Sequence, residues 1–426
     1  MDNTNKKHVI SADSVQVYQD VSIGANQPTK EERIKTPHAL IDFLPPTIPN
    51  YNAADWTRDA TFLIQHLTQQ QQKQQEWNEG EDSSNDDIIQ EKRSQHLKNI
   101  TSSATSSAEG PVLVVGGTMM YLQWLVHGRP DAQKPTSEAI QKAASIIEPF
   151  QDASDWEGAI EFIEKQKQPD IIMKRIQQLC GQDWYRLRRI LEIAFTSTSS
   201  PDALFTGERT NGLLQQCPDN NFDIDLRCFF LCPNDRLQHM HEMDERCHSM
   251  ILRGLLNETT QLLQKKIPLE GQVARAIGYR QTIDFLMSSE QTLDEYIANF
   301  CTATRRYAKK QMAWFRKDSS FVFVPVPMQL PPEDRIIQTT QHIQQLLCPT
   351  NYESELTSPN SSSVQTRQLN QQQGPKMKFF IPKPHGVLHK GSDEYNRILE
   401  QVQTCRTQLS SSQEQQIPIV DTKPIV

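Results

Sequence analysis

Residues 111–126 read Pro111-Val112-Leu113-Val114-Val115-Gly116-Gly117-Thr118-Met119-Met120-Tyr121-Leu122-Gln123-Trp124-Leu125-Val126. The first five form an apolar run that suits a buried strand, the next three a tight turn, and Met119 opens a helical pattern. Strand, small residues and helix in that order are the unit of a parallel α/β sheet. A second apolar run, Val9-Ile10-Ser11-Ala12, ends at Asp13-Ser14 and supplies another buried strand. Downstream, Phe222, Ile224, Leu226, Cys228, Phe230 and Cys232 alternate on one face, so the sheet resumes there.

Composition divides the chain around these strands. Residues 1–67 form the first part of an α/β core. Residues 68–109 collapse into Gln, Ser, Asn and acidic side chains, and are expected to be a disordered insertion because they bury too little apolar surface to offset chain entropy. Residues 110–132 return to the core. Residues 133–221 show no alternating pattern and are expected to be an inserted helical subdomain. Residues 222–330 complete the core and end in a strongly basic helix, with the ordered helices stopping near Lys317. Residues 345–426 are again rich in Ser, Gln and Asn and are expected to be a largely disordered tail, apart from a short helix near Glu394 to Leu409.

The 426 residues carry a net charge of −8. An acidic surface repels phosphates, so indiscriminate nucleic-acid binding is excluded and any such site must be local. Eight cysteines, at 180, 217, 228, 232, 247, 301, 348 and 405, contain no C-x-x-C pair and no spacing with histidine that would build a zinc site; no protein-held metal is expected. No apolar run approaches the ~20 residues needed to span a bilayer, and Met1 to Lys7 lacks an apolar signal core. The cytoplasm is the default compartment, with a mitochondrial address as the alternative if a transit peptide has been lost with the N-terminus.

Four features carry chemistry, each with a plainer reading beside it. Asp13 stands at the carboxyl end of a strand, where open parallel sheets bind ligands, which makes it a candidate base; such an Asp also serves as a helix cap or turn residue. Gly116, Gly117 and Thr118 offer backbone N–H groups and a hydroxyl at a helix start, suited to a diphosphate or simply to the turn. Residues 304–317 hold six basic side chains and no acidic one. Arg305, Arg306, Lys309, Lys310, Arg316 and Lys317 share one broad helical arc opposite Phe300, Tyr307, Trp314 and Phe315, which suits either a solvated face or a polyanion. Arg186, Arg188 and Arg189, beside Trp184 and Tyr185, form a smaller cluster whose aromatics serve either as core or as stacking platforms.

Five segments carry a family signature. Ala12-Asp13-Ser14-Val15-Gln16-Val17-Tyr18, Pro37-His38-Ala39-Leu40-Ile41-Asp42, Val115-Gly116-Gly117-Thr118-Met119-Met120-Tyr121-Leu122, Arg275-Ala276-Ile277-Gly278-Tyr279-Arg280-Gln281 and Tyr307-Ala308-Lys309-Lys310-Gln311-Met312-Ala313-Trp314 resemble, in order, the motifs of tRNA dimethylallyltransferases, the IPP transferase family. The resemblance runs from about residue 9 to 325, omitting the Gln-rich insertion.

It implies a P-loop nucleoside-triphosphatase-like parallel sheet with an inserted helical subdomain. It also implies transfer of a dimethylallyl group from dimethylallyl diphosphate to N6 of the adenosine 3′ to a tRNA anticodon, with Mg2+ as cofactor and the anticodon stem-loop of tRNA as partner of a monomer. Asp13 matches the family's general base, Thr118 lines the channel, and Gly116, Gly117 and Thr118 face the diphosphate. Asp13, Ser14, Val15 and Gln16; Tyr185, Arg186, Leu187, Arg188 and Arg189; Arg275, Ala276, Ile277, Gly278, Tyr279 and Arg280; and Lys309, Lys310, Gln311, Met312, Ala313, Trp314, Phe315 and Arg316 match segments that contact tRNA. The target base must leave its stack to reach a buried carboxylate.

The departures are equally specific. The chain has no Gly-Lys dipeptide, so it has no Walker-type loop, and only Met1 to His8 precede the strand that begins at Val9. About 30 further N-terminal residues carrying a strand, loop and helix are expected. After Ile23-Gly24 the family's hydroxyl and lysine are replaced by Ala25-Asn26-Gln27. Two rivals follow: an adenylate isopentenyltransferase, from which the lysine-rich helix ending in Trp314-Phe315 departs, and a catalytically inactive tRNA-binding remnant.

Overall fold

The computed structural model describes residues 8–48, 51–68, 87–103, 111–129, 135–166, 170–177, 179, 182–196, 212–213 and 224–414. They fall into two compact units, one drawn from Met1–Glu76, Asp86–Leu122 and Asp225–Val426, the other chiefly from Gln123–Ile224. No described helix is long and apolar enough to cross a membrane.

In the first unit β1 (Val9–Ser11) lies between β2 (His38–Ala39) and β3 (Leu113–Val115), all parallel. A short helix, α1 (Lys30–Lys35), capped by Thr29 and Glu32, leads into β2. A second parallel pair, β4 (Cys228–Pro233) and β5 (Phe321–Val326), runs in register from Cys228 opposite Phe321 to Pro233 opposite Val326. Strand β4 starts at Cys228, past Ile224 and Leu226 of the expected alternation, with Phe222 outside the described residues, and β5 falls after the last expected core helix but inside the expected core span 222–330. Strand β3 is less buried than its apolar run predicts: Leu113 and Val115 are 43% and 56% exposed, as is Leu231 of β4 at 52%. The cause is topological, because β3 is an edge strand with no hydrogen-bonded neighbour beyond it among the described residues.

Helix α2 (Ala53–Thr68) closes over the carboxyl end of β1. Its fully buried Trp56 donates Nε1–H to the Ser11 carbonyl at 2.8 Å and stacks on Tyr121 with centroids 4.7 Å apart. The insertion expected to be disordered contains helix α3 (Asp87–Ser103), a correction confined to that span because 69–86 and 104–110 lie outside the described residues. One buried ion pair makes the difference. Arg93, 2% exposed, donates Nε–H to Asp59 Oδ2 at 2.9 Å, and Tyr51 donates its hydroxyl to the same oxygen at 2.7 Å. His96 accepts the Leu40 N–H at 3.1 Å and stacks on Phe43.

Helix α4 (Met119–His127) follows β3. The second unit packs α5 (Ser137–Asp152), α6 (Trp156–Lys165), α7 (Asp170–Gln177) and α8 (Trp184–Thr196) around Ala143, Ile147, Ile163, Leu187 and Leu191.

After β4 come α9 (Arg236–Leu252), α10 (Leu255–Gln264), α11 (Gln272–Arg275), α12 (Tyr279–Met287) and the long α13 (Leu293–Phe315), whose start is closed by a Thr292–Glu295 capping box. The expectation of a disordered tail is corrected as far as Glu414. Helices α14 (Pro332–Leu346), α15 (Pro349–Thr357), α16 (Ser362–Gln373) and α17 (Asp393–Glu414) are formed there. Their polar side chains fasten the edges of the β4–β5 pair: Tyr352 Oη accepts the Cys228 N–H and Ser363 Oγ the Phe323 N–H, each at 2.8 Å. Sparse apolar residues do the rest, with Ile398, Val402 and Cys405 buried on one face of α17. Composition averages over such positions, which is why the tail reads as disorder.

Candidate active site

The turn after β1 folds around the Asp13 carboxylate. Its Oδ1 accepts the N–H groups of Val15 at 2.8 Å and Gln16 at 3.2 Å, fixing the side chain by local geometry. Oδ2 has no partner among the described residues, so one lone-pair edge stays open. Burial pushes the carboxyl above its ordinary pKa, an effect partly offset by those two N–H donors and by the positive charge of Arg246.

The turn after β3 lies against the turn after β1. Thr118 donates its N–H to the Ala12 carbonyl at 3.1 Å, and its Oγ1 accepts the Ser14 N–H at 3.0 Å, which leaves the Thr118 hydroxyl proton free to donate. A Cβ on Gly116 would lie 2.3 Å from the Ala12 carbonyl oxygen, so glycine is required by close backbone approach. The basic helix seats on the same turn: the Tyr307 hydroxyl and Gln311 Nε2 donate to the Gly117 carbonyl at 3.2 and 2.9 Å. Burial, and next the Asp13 charge, push the Tyr307 phenol up to about 12. Asp13, Ser14, Gly116, Gly117, Thr118, Tyr307 and Gln311 therefore form one constellation.

The remaining residues singled out from sequence divide by burial. On α13, Arg306, Lys309 and Lys310 are exposed, as is Lys317 just past its end, and Ala313 and Trp314 are half-buried. The single basic arc needs correcting. Arg305 turns inward to pair with Asp244 and lies over the Phe380 ring, while Arg316 donates to Asn370. Met312 and Phe315 are buried at 5% and 3% exposure and Tyr279 and Leu187 completely, so these four side chains serve the core rather than RNA. Tyr279 instead donates to Glu258 Oε1 at 2.6 Å, and that carboxylate also accepts the N–H groups of Ile23 at 2.8 Å and Gly24 at 2.9 Å. Gln16 is half-buried, its amide donating to the Ala25 and Asn26 carbonyls. Val15, Ala276 and Ile277 are half-buried, Gly278 is buried with a φ of 97°, Arg275 is exposed, and Arg280 pairs with Asp284 at 3.0 Å. In the second unit Tyr185 is 68% exposed beside exposed Arg186, whereas Arg188 reaches Glu148 and Gln151 and Arg189 pairs with Glu192.

Sequence reasoning missed Arg246. It lies on α9, exposed, and is the cation whose charge reaches Asp13. Nothing in its local sequence sets it apart from the other charged residues of α9.

The chain has been compared with known proteins. The model of the IPP transferase family matches residues 16–74 and 92–318. The chain belongs to that family. Relatives of this IPP transferase include tRNA dimethylallyltransferase 9 of Arabidopsis thaliana, 29% identical over 361 residues that cover 78% of this chain and 67% of that protein. The tRNA dimethylallyltransferase of Protochlamydia amoebophila is 30% identical, with 76% and 78% covered. A crystallographic structure of a eukaryotic dimethylallyltransferase acting on tRNA superposes with a TM-score of 0.56 at 18% identity, over 96% of this chain and 92% of that one. The two share a fold.

Magnesium was expected from the resemblance. Mg2+ usually keeps several waters and is held by one or two carboxylates together with substrate phosphates, and among the described residues no group of three acidic, histidine or cysteine ligand atoms converges at Asp13. The one such group is Glu245, His248 and His385. There the His385 Nδ1 accepts the Leu388 N–H at 2.8 Å, so the ring proton sits on Nε2, 3.0 Å from Glu245. That arrangement is a hydrogen-bonded pair rather than a cation site.

Proposed function

We propose that this IPP transferase moves a dimethylallyl group from dimethylallyl diphosphate to N6 of an adenosine 3′ to a tRNA anticodon. The observation that carries the reading is the open Oδ2 of Asp13, held beside the Thr118 hydroxyl at the carboxyl end of β1 with a cationic helix seated on the neighbouring glycine turn. As the amine nitrogen forms its bond to the allylic carbon, the carbon–oxygen bond breaks and diphosphate departs. Asp13 accepts the proton the amine gives up. Its raised pKa improves it as a base.

Thr118 donates a hydrogen bond to the adenine or to the leaving diphosphate, and the Ser14 N–H fixes its rotamer. Arg246, exposed and close enough to act on Asp13, supplies positive charge to the diphosphate. Arg306, Lys309, Lys310 and Arg275 meet RNA phosphates. No step runs through Mg2+.

The deciding assay incubates labelled dimethylallyl diphosphate with unmodified tRNA or with AMP. Label in tRNA that disappears in Asp13→Asn supports the reading; label in AMP alone, or transfer undiminished in Asp13→Asn, overturns it. Binding of tRNA with no transfer at any donor concentration would leave the inactive remnant as the answer.

A further inference from the structure

We propose that the segment Pro375 to Lys390, outside the span matched by the family model, is a second RNA-contacting strap that continues the cationic face of α13; this rests on the RNA-modifying reading above. Residues 356–392 contain no Asp or Glu, in a chain of net charge −8. Within them Lys376, Lys378, Lys383 and Lys390 are exposed, and none pairs with an acidic group among the described residues. Between these lysines Phe379 and Ile381 are 80% and 78% exposed. A rim of unpaired cations around a bare aromatic ring matches single-stranded nucleic acid, whose phosphates take the lysines and whose unstacked bases take the ring.

The strap is fixed rather than trailing. Gln373 Nε2 donates to the Asn234 carbonyl at 2.8 Å, and Gln373 Oε1 accepts the Arg236 N–H at 3.1 Å. Phe380 points inward, its ring 4.8 Å from that of His241 and 5.0 Å from the Arg305 guanidinium. His385 pairs with Glu245 at 3.0 Å, and Leu388 is buried at 4% exposure. The anchors fall on α9, which carries Arg246, and on α13, which carries Lys309 and Lys310. A held strap loses little freedom on binding, and its position beside the basic helix selects the RNA already engaged there. Exposed Phe, Ile and Lys also suit an anionic membrane surface; continuity with α13 favours RNA.

The test measures binding of the full chain to unmodified tRNA across a salt series, with co-sedimentation on phosphatidylserine-containing vesicles in parallel. Phe379→Ala is expected to weaken tRNA binding by about tenfold, with Phe379→Trp retaining it. The triple variant Lys376→Ala, Lys378→Ala, Lys383→Ala is expected to lower the salt slope by about 2, with the melting temperature unchanged. If Lys309→Ala with Lys310→Ala weakens tRNA binding and the strap variants do not, the strap fails while the functional reading stands. If the wild-type chain binds no RNA, both fail. Strap variants that lose vesicle binding alone identify the surface as a membrane contact and overturn the proposal.

Discussion

The backbone N–H of Ser14 donates to Oγ1 of Thr118 at 3.0 Å, joining the turns after two parallel strands across 104 positions of sequence. Thr118→Ser keeps the acceptor and is expected to retain transfer. Thr118→Val removes it, and should lower kcat roughly tenfold or more with a smaller change in KM, because a donor near the reacting groups acts mainly in the transition state. Steady-state kinetics on tRNA read the split.

The positive charge of Arg246 acts on the Asp13 carboxyl. Asp13 loses activity on protonation, so the rate falls toward low pH with an inflection above the ordinary carboxylate value. Arg246 lowers that pKa, so Arg246→Ala should move the inflection upward while raising KM for the diphosphate. A pH profile of kcat/KM for the two proteins checks both shifts, and an unmoved inflection would separate Arg246 from the site.

Arg93 is a buried cation whose charge is met by Asp59. Arg93→Ala leaves the buried Asp59 carboxylate with only the Tyr51 hydroxyl and the longer contact to Arg58, and should destabilise by about 3–5 kcal/mol, whereas the triple change Arg93→Met, Asp59→Leu, Tyr51→Phe should cost far less. Urea unfolding of the three proteins distinguishes these outcomes.

His96 is held neutral, with burial pushing it down to about 4 from 6.5. Below about pH 6.5 the unfolded chain takes up a proton that the folded chain refuses, so stability is full above 6.5 and falls as pH drops toward 4. His248, lowered to about 4 by burial and by His385, adds to the same window. His96→Gln, which can still accept the Leu40 N–H, should flatten the fall by on the order of 3 kcal/mol at pH 4. Chemical denaturation at pH 7 and pH 4 gives the difference.

Adding a strand, loop and helix unit beside the open edge of β3 tests the expectation drawn from the family resemblance. Fusing such a unit ahead of Val9 should raise the transfer rate by ~100-fold or more, since donors for the departing diphosphate are a large catalytic term. It should also slow amide exchange at Val114, whose N–H points away from β1 toward the open edge. Unchanged exchange there would count against a strand in that place.

Much of the site was legible because its parts are local. Asp13 and Thr118 follow strands that apolar runs announce, and β1, β3 and α13 sit where periodicity put them. What escaped was long-range. Arg246 gains meaning only when α9 packs near the turn after β1. Arg305 leaves the basic arc because Asp244 and Phe380, distant in sequence, meet it. Helix α3 and the tail read as disordered because one buried arginine, or one tyrosine and one serine bonded to strand edges, outweighs an average over forty polar residues.

Glu258 has a mechanical consequence. It holds the amides of Ile23 and Gly24 and the phenol of Tyr279 with a single carboxylate. The ring of Tyr279 also fills the space where a Gly24 side chain would stand. The start of α12, next to exposed Arg275, thus cannot be displaced without dragging the loop that follows the Asp13 turn. Pressure from a polynucleotide on the one is carried as strain to the other.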